Sequence, residues 1–145
     1  MEPTIYLFFK GNCLEAMTHY AEILGGEIAY VLRNADAPGA ENRMPGGDDL
    51  VMNMAMKLGT ATIMASDAPD SMYSKPQGFS VSIAPPSRAE FDRIFEALAK
   101  DAESVAMPPG ETFWAERFAM FTDRFGTPWM LNHVGAKDVG GEAAR

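Results

Sequence analysis

Cysteine is almost absent: Cys13 is the only thiol in 145 residues. One thiol cannot close an intrachain disulfide, which fits a reducing, cytoplasmic setting. Cys13 follows Asn12 at an expected helix start, where the dipole could lower its pKa. No histidine lies nearby in sequence to serve as its base, so a small buried thiol is expected. No run approaches the ~18 apolar residues that a membrane span needs. From Met1 the chain enters a strand-like run, with no basic segment followed by an apolar one, so no signal peptide is expected. Basic residues are few as well, with 12 Lys and Arg against 20 Asp and Glu and a net charge of −8. A phosphate backbone needs a basic face, so nucleic acid is not an expected partner. The acidic residues are scattered and read as a solubility charge.

What is present is apolar and patterned. Hydrophobic residues make up 47% of the chain, enough for one domain with a sizeable core. Residues 4–9 are short, aromatic and β-branched, as strands are. Asn12 and Glu15 have capping-box spacing, and Ala16, Met17, Tyr20, Ile23 and Leu24 recur at helical spacing until Gly25-Gly26 stops them. Residues 27–33 read as a strand and 34–50 as a loop rich in Pro, Gly, Asp and Asn. That loop is open to three roles: a lid, a dimer arm or a disordered segment. Residues 51–58 and 61–66 read as two strands joined by a Gly59-Thr60 hairpin.

After a polar linker over 67–77 the pattern restarts. Residues 78–84 are strand-like, and Ser87 with Glu90 forms a second capping box. Phe91, Ile94, Phe95 and Leu98 give the second helix its apolar face. Residues 103–107 read as a strand and 108–113 as a loop. Residues 116–122 and 128–134 read as the last strands, and 135–145 as a flexible tail. The capping boxes lie 75 residues apart. Lys57-Leu-Gly-Thr60 and Arg124-Phe-Gly-Thr127 lie 67 apart. The sequence is therefore a tandem repeat of βαβββ modules, 4–66 and 78–134. The predicted fold is α+β, a curved eight-stranded mixed sheet with helices on its convex face and a cleft inside.

Four segments carry a family resemblance: Tyr6-Leu-Phe-Phe-Lys-Gly-Asn-Cys13, Tyr20-Ala-Glu-Ile-Leu-Gly-Gly26, Ala61-Thr-Ile-Met-Ala-Ser-Asp67, and Glu111–Phe118 running on to Thr122–Trp129. With the repeat, they resemble the PhnB-like branch of the vicinal-oxygen-chelate (glyoxalase/bleomycin-resistance) superfamily, also labelled demethylubiquinone-methyltransferase-like. The resemblance spans nearly all of residues 4–133. It implies the fold above and a homodimer. It also implies either a divalent metal held from the first and last strand of each module or a drug-sequestering protein without chemistry. No glycine-rich cofactor loop of the Rossmann kind follows a strand.

The metal positions implied by the resemblance carry the wrong groups. Counted from the hairpin glycines, the last-strand positions are Ile63 and Met130. The first-strand positions are Thr4 or Ile5 and Phe79. A hydrocarbon offers no lone pair, and a thioether suits a hard divalent ion poorly. Asn53 stands where many relatives carry a histidine. His19 reads as a solvated helix residue, and His133 shares a strand face with Trp129 and Leu131. No metal and no other cofactor is therefore expected, with a divalent metal as the runner-up.

Strand alternation then assigns a neutral ligand cleft. The expected ligand-binding residues are Asn53, Met120, Thr122, Met130 and Asn132, with Ile63, Ala55 and Pro128 beside them. Phe113 and Trp114 are expected on a rim loop, where Trp114 either stacks on a ligand or plugs the end of the sheet. Glu111 and Glu116 are the candidate acid–base residues. Met52, Met54 and Met56 alternate on the face expected under the helices. The expected function is binding of a small, largely apolar organic molecule without the superfamily metal. The alternatives are a glyoxalase-like lyase or isomerase with a non-standard metal or acid–base site, and a regulatory dimer without a ligand.

Overall fold

The computed structural model describes residues 1–137. The chain divides into two compact units, Met1–Lys75 and a second beginning at Pro76. The first contains β1 (Ile5–Phe9), α1 (Cys13–Leu24), β2 (Glu27–Arg33), β3 (Val51–Leu58) and β4 (Ala61–Asp67). The second contains β5 (Val81–Ile83), α2 (Arg88–Leu98), β6 (Ser104–Gly110), β7 (Arg117–Thr122) and β8 (Pro128–His133). Both units are therefore βαβββ, as the repeat predicts. The hydrogen-bonded ladders make two four-stranded mixed sheets, β1-β4-β3-β2 and β5-β8-β7-β6, where one eight-stranded sheet was expected. Each ladder is complete within its own module: the first and last strands pair in parallel, and the last three strands pair antiparallel in succession.

In the first unit, α1 covers one sheet face. Met17 and Tyr20 pack with Leu7, Phe9, Met54, Met56 and Ala65, all nearly or fully buried. The alternating methionines at 54 and 56 thus belong to the helix-covered face, as expected. Gly25 ends α1 in the left-handed conformation with φ 74°, which a side chain rarely adopts. The start of α1 differs from its sequence signature, because Asn12 makes no side-chain cap hydrogen bond. Asp67, at the end of β4, does the capping instead. Its Oδ1 accepts the Gly11 and Cys13 amides at 2.9 and 3.0 Å, and its Oδ2 accepts the Val51 amide at 2.9 Å. A carboxylate on those amides satisfies more donors than the short Asn12 side chain can reach.

The long loop is also pinned by one buried residue. Asn34 donates from Nδ2 to the Met44 and Gly47 carbonyls at 3.1 and 3.0 Å and accepts the Met44 amide at 3.2 Å. Two short 3-10 turns, Asn34–Asp36 and Ala40–Asn42, lie within that loop.

In the second unit, α2 buries Phe91, Ile94 and Leu98, near Trp129 and Leu131 of β8. Here the Ser87 half of the expected capping box forms, since Ser87 Oγ accepts the Glu90 amide at 3.2 Å, while the Glu90 carboxylate pairs with Arg93. Two strands differ from expectation. β5 has only three residues, because Gly78 (φ 83°) precedes it and Pro85-Pro86, with no amide hydrogens to donate, follow it. β6 continues through Pro108 and Pro109 to Gly110, where a loop was expected. It is an edge strand with irregular pairing beyond Val105, and an edge tolerates proline. Asp123 organises the β7–β8 turn by accepting the Phe125 and Thr127 amides on Oδ1 at 2.9 and 3.0 Å. Its Oδ2 accepts from Trp129 Nε1 at 2.8 Å.

Of the expected tail, Gly135–Lys137 are described. The Ala136 amide donates to Glu116 Oε2 at 2.9 Å and Lys137 Nζ donates to the Thr112 carbonyl at 2.8 Å. The remainder, 138–145, lies outside the described residues.

Candidate functional site

Each sheet has one face under its helix and one open face, and the cross-strand pairs show which residues lie on each. In the first unit Tyr6 pairs with Met64, Met64 with Ala55, and Ala55 with Tyr30, so one row crosses all four strands of the open face. Asn53 pairs with Leu32 on the same face. Large apolar groups stand exposed here: Phe8 is 51%, Tyr30 45% and Leu32 42% accessible. Tyr6 and Phe8 lie with ring centroids 4.9 Å apart. Asn53 joins the two tyrosines. Its Nδ2 donates to Tyr6 Oη at 3.1 Å, and its Oδ1 accepts from Tyr30 Oη.

In the second unit Ser82 pairs with Met130 and Met130 with Met120. Phe118 pairs with Asn132 and Thr122 with Pro128 on that same open face. Met120, Thr122, Met130 and Asn132 are half-buried. The expected grouping of Met120, Thr122, Pro128, Met130 and Asn132 on one face therefore matches the register.

Ile63 does not belong with the open-face residues. It pairs with Met56 and Ile5, is buried, and lies on the helix-covered face. Met64 takes its place beside Asn53. The cause is a second hairpin longer than the first by three residues. Residues 59–60 separate the closing pair Leu58↔Ala61, whereas 123–127 separate Thr122↔Pro128. An odd difference inverts every side chain of the following strand, so alignment on the hairpin glycines matches opposite faces. Ile5 shares the covered-face parity of Ile63, and Phe79 precedes the short β5. The open-face residues of β1 are Tyr6 and Phe8.

The rim loop is a side-chain-stabilised turn. Thr112 Oγ1 accepts the Trp114 and Ala115 amides at 3.3 and 3.0 Å. This turn sets Trp114 edge-on against both Phe113 and Phe118, with centroids 5.0 and 5.2 Å apart. Phe118 is an open-face residue, so Trp114 is packed on that side of the sheet while Phe113 remains 77% exposed.

The acidic candidates are engaged separately. Glu111 pairs with Lys137, whose hydrogen bond and charge hold its carboxyl below the ordinary value. Glu116 accepts the Ala136 amide, and its Oε2 lies 3.9 Å from His133 Nε2. His133 Nδ1 is 2.9 Å from the Pro85 carbonyl, which can only accept, so Nδ1 carries the proton. A shallow pocket of about 320 Å³ opens beside these groups, lined by Pro85, Pro86, Asn132 and His133. His19 is half-buried beside Tyr20. Cys13 is fully buried, and burial followed by the charge of Asp67 pushes its thiol well above the ordinary range.

The donor chemistry of the open faces does not fit the superfamily's divalent ion. The first- and last-strand residues there include Tyr6, Met64, Ser82, Met130 and Asn132, supplying phenol, thioether, hydroxyl and amide groups. Divalent first-row ions prefer imidazole and carboxylate. Among the described residues no three His, Cys, Asp or Glu side chains cluster as a metal site would require.

Sequence reading missed Tyr6 and Tyr30 as site residues. The signal was present: Tyr6 alternates with Leu7 toward the face opposite the core, and Tyr30 lies on a strand whose pairing carries it to Ala55. A bulge in β2 between Ile28 and Tyr30 hid the phase of that strand.

Comparison with known proteins agrees with this architecture. Protein YjdN of Escherichia coli (strain K12) is 35% identical over 138 residues, covering 89% of this chain and 92% of YjdN. The crystal structure of protein PA1353 from Pseudomonas aeruginosa superposes with a TM-score of 0.79 at 40% identity, covering 92% of this chain and 97% of that one. A Bacillus cereus PhnB protein, described as a putative 3-demethylubiquinone-9 3-methyltransferase, superposes with a TM-score of 0.78 at 25% identity, covering 92% and 99%. A glyoxylase/bleomycin resistance protein/dioxygenase domain from Frankia shares the fold at 15% identity and TM-score 0.62, covering 93% and 98%. The model of the 3-demethylubiquinone-9 3-methyltransferase family matches residues 2–132. The chain therefore belongs to this PhnB-like family, within the vicinal-oxygen-chelate fold.

Proposed function

We propose that this protein binds a small, largely apolar organic molecule on its open sheet faces, with no divalent metal in the site. One observation carries the reading. The open faces present aromatic rings, thioethers and neutral amides, with Asn53 and Asn132 as orienting groups, whereas the ligand positions of the superfamily lack imidazole and carboxylate. Apolar surface with a few placed polar groups is the usual make-up of a small-molecule site. Phe113 and Trp114 add rings for stacking. Elemental analysis of purified protein is expected to find far less than one zinc, nickel, manganese or iron per chain. Close to one such ion per chain, held at the open face, would reverse the reading.

The family's description names a methyl transfer, but the residues here do not fit a methyl donor bound in the Rossmann manner. Such a site needs free amides at a glycine-rich strand-to-helix turn. In the β1–α1 turn the Gly11 and Cys13 amides are already taken by Asp67.

A lyase or isomerase working by acid–base chemistry is the second reading. His133 favours it, with Nδ1 donating to the Pro85 carbonyl, Nε2 3.9 Å from Glu116 Oε2, and a pocket alongside. It requires deuterium exchange at the carbon beside a carbonyl, tested with hydroxyacetone, that disappears in His133→Gln.

Sheet edges also support a homodimer, since outer strands leave a row of backbone groups seeking partners. A monomer mass by sedimentation at micromolar concentration would count against it. Among the described residues no helix is long and apolar enough to cross a membrane. A cytoplasmic location accords with the lone, buried thiol.

A further inference from the structure

We infer that Tyr6, Asn53 and Tyr30 form a reader for a ring-bearing ligand that carries one carbonyl and one hydroxyl group. The inference rests on the binding role proposed above and names its ligand class.

The argument starts from the amide. Asn53 offers a donor at Nδ2 and an acceptor at Oδ1. It spends Nδ2 on Tyr6 Oη at 3.1 Å and Oδ1 on the Tyr30 hydroxyl. Tyr6 oxygen therefore accepts, which leaves its own hydrogen directed elsewhere. Tyr30 donates, which leaves its oxygen lone pairs open. One neutral amide thus turns two identical phenols into an unlike pair, with an outward donor on Tyr6 and an outward acceptor on Tyr30. The asymmetry does not depend on which end of the amide meets which phenol, because the two ends always have opposite character.

The setting gives the pair access and an apolar surround. Tyr6 and Tyr30 stand on the two outermost strands, in one row with Met64 and Ala55 between them. Ala55 has no bulk to hold the rings apart, so both phenols lean inward and meet at Asn53. Both tyrosines are exposed, and Phe8 and Leu32 flank them. A ligand meeting this face finds aromatic and aliphatic surface around one donor and one acceptor. No charged side chain takes part in the Asn53 network. The complementary molecule is thus neutral, with a ring for the apolar surround, a carbonyl for Tyr6 and a hydroxyl for Tyr30.

The test uses three matched probes: 3-hydroxyacetophenone with both groups, 3-methylacetophenone without the hydroxyl, and 3-ethylphenol without the carbonyl. Each is titrated by amide NMR shifts into the intact protein and into Tyr6→Phe and Tyr30→Phe, which keep the rings and the fold. The amide spectrum away from the face reports that fold. The expected pattern is crossed. Tyr6→Phe weakens the two ketones about fivefold and spares 3-ethylphenol, while Tyr30→Phe weakens the two phenols about fivefold and spares 3-methylacetophenone. If all three probes bind this face and neither variant discriminates among them, the reader is overturned while the apolar binding role stands. If no probe shifts any residue of the face, both fail together.

Discussion

The Oδ1 of Asp67 accepts the Cys13 amide at 3.0 Å, joining residues 54 apart in sequence. The last strand of the first module thereby caps its helix, and the same carboxylate also holds the first residue of β3. Asp67→Ala leaves three backbone amides without this acceptor in a buried site. The expected cost is about 3 kcal/mol of unfolding free energy. Urea denaturation checks it, and a loss below ~1 kcal/mol would show that water replaces the carboxylate readily.

The thiol at the same helix start makes a second prediction. Burial raises the Cys13 pKa above its ordinary 9.0, so the folded state keeps a proton that the unfolded state releases. That stabilising contribution is complete below pH 9 and declines as pH rises above it, by about 1.4 kcal/mol per unit. Comparing Cys13→Ala with the parent protein isolates the effect from other groups. Their stability difference is expected to be flat from pH 6 to 9 and to shift in favour of the variant above it. Alkylation of the folded protein by iodoacetamide at pH 8 is expected to be slow.

Glu111 gives a pH prediction of opposite sign. The Lys137 hydrogen bond depresses its pKa below 4.5, so the pairing is present above that value and is lost as pH falls. Carboxyl-carbon NMR is expected to place its midpoint below 4.5 in the parent protein and to return it to the ordinary range in Lys137→Ala.

Asn53→Ala removes the amide that joins Tyr6 and Tyr30. Apolar ligands are expected to bind about fivefold more weakly, with metal content unchanged from a value already near zero. Isothermal titration with elemental analysis on the same sample makes the comparison. A change in metal content would tie Asn53 to an ion instead.

Much of the fold was legible because its signals are local. Helical spacing from Ala16 to Ile23 marked α1, and the αL glycine at 25 marked its end. The Ser87 cap was readable because donor and acceptor lie three residues apart. The α1 cap was not, since its acceptor comes from Asp67, far along the chain. β6 was cut short at Pro108 because proline suggests a loop, whereas an edge strand has free sides on which missing amide hydrogens do no harm. At the site, alternation placed Met120, Thr122, Met130 and Asn132 correctly relative to one another, because a regular strand preserves its phase. It misplaced Ile63 and overlooked Tyr30, where a hairpin of different length and a bulge each change the phase.

The unequal hairpins have a consequence for how such a duplicated chain diversifies. Two copies of one module begin with the same chemistry outward. A single residue inserted at a turn exchanges the inner and outer inventories of the strand beyond it, without altering one letter of that strand. Ile63 and Met130, matched by sequence yet facing opposite ways, carry the mark of that exchange. Turn length in this fold is thus a heritable switch of surface identity. Relatives that gain or lose one residue there are expected to differ in what they recognise more than their percentage identity suggests.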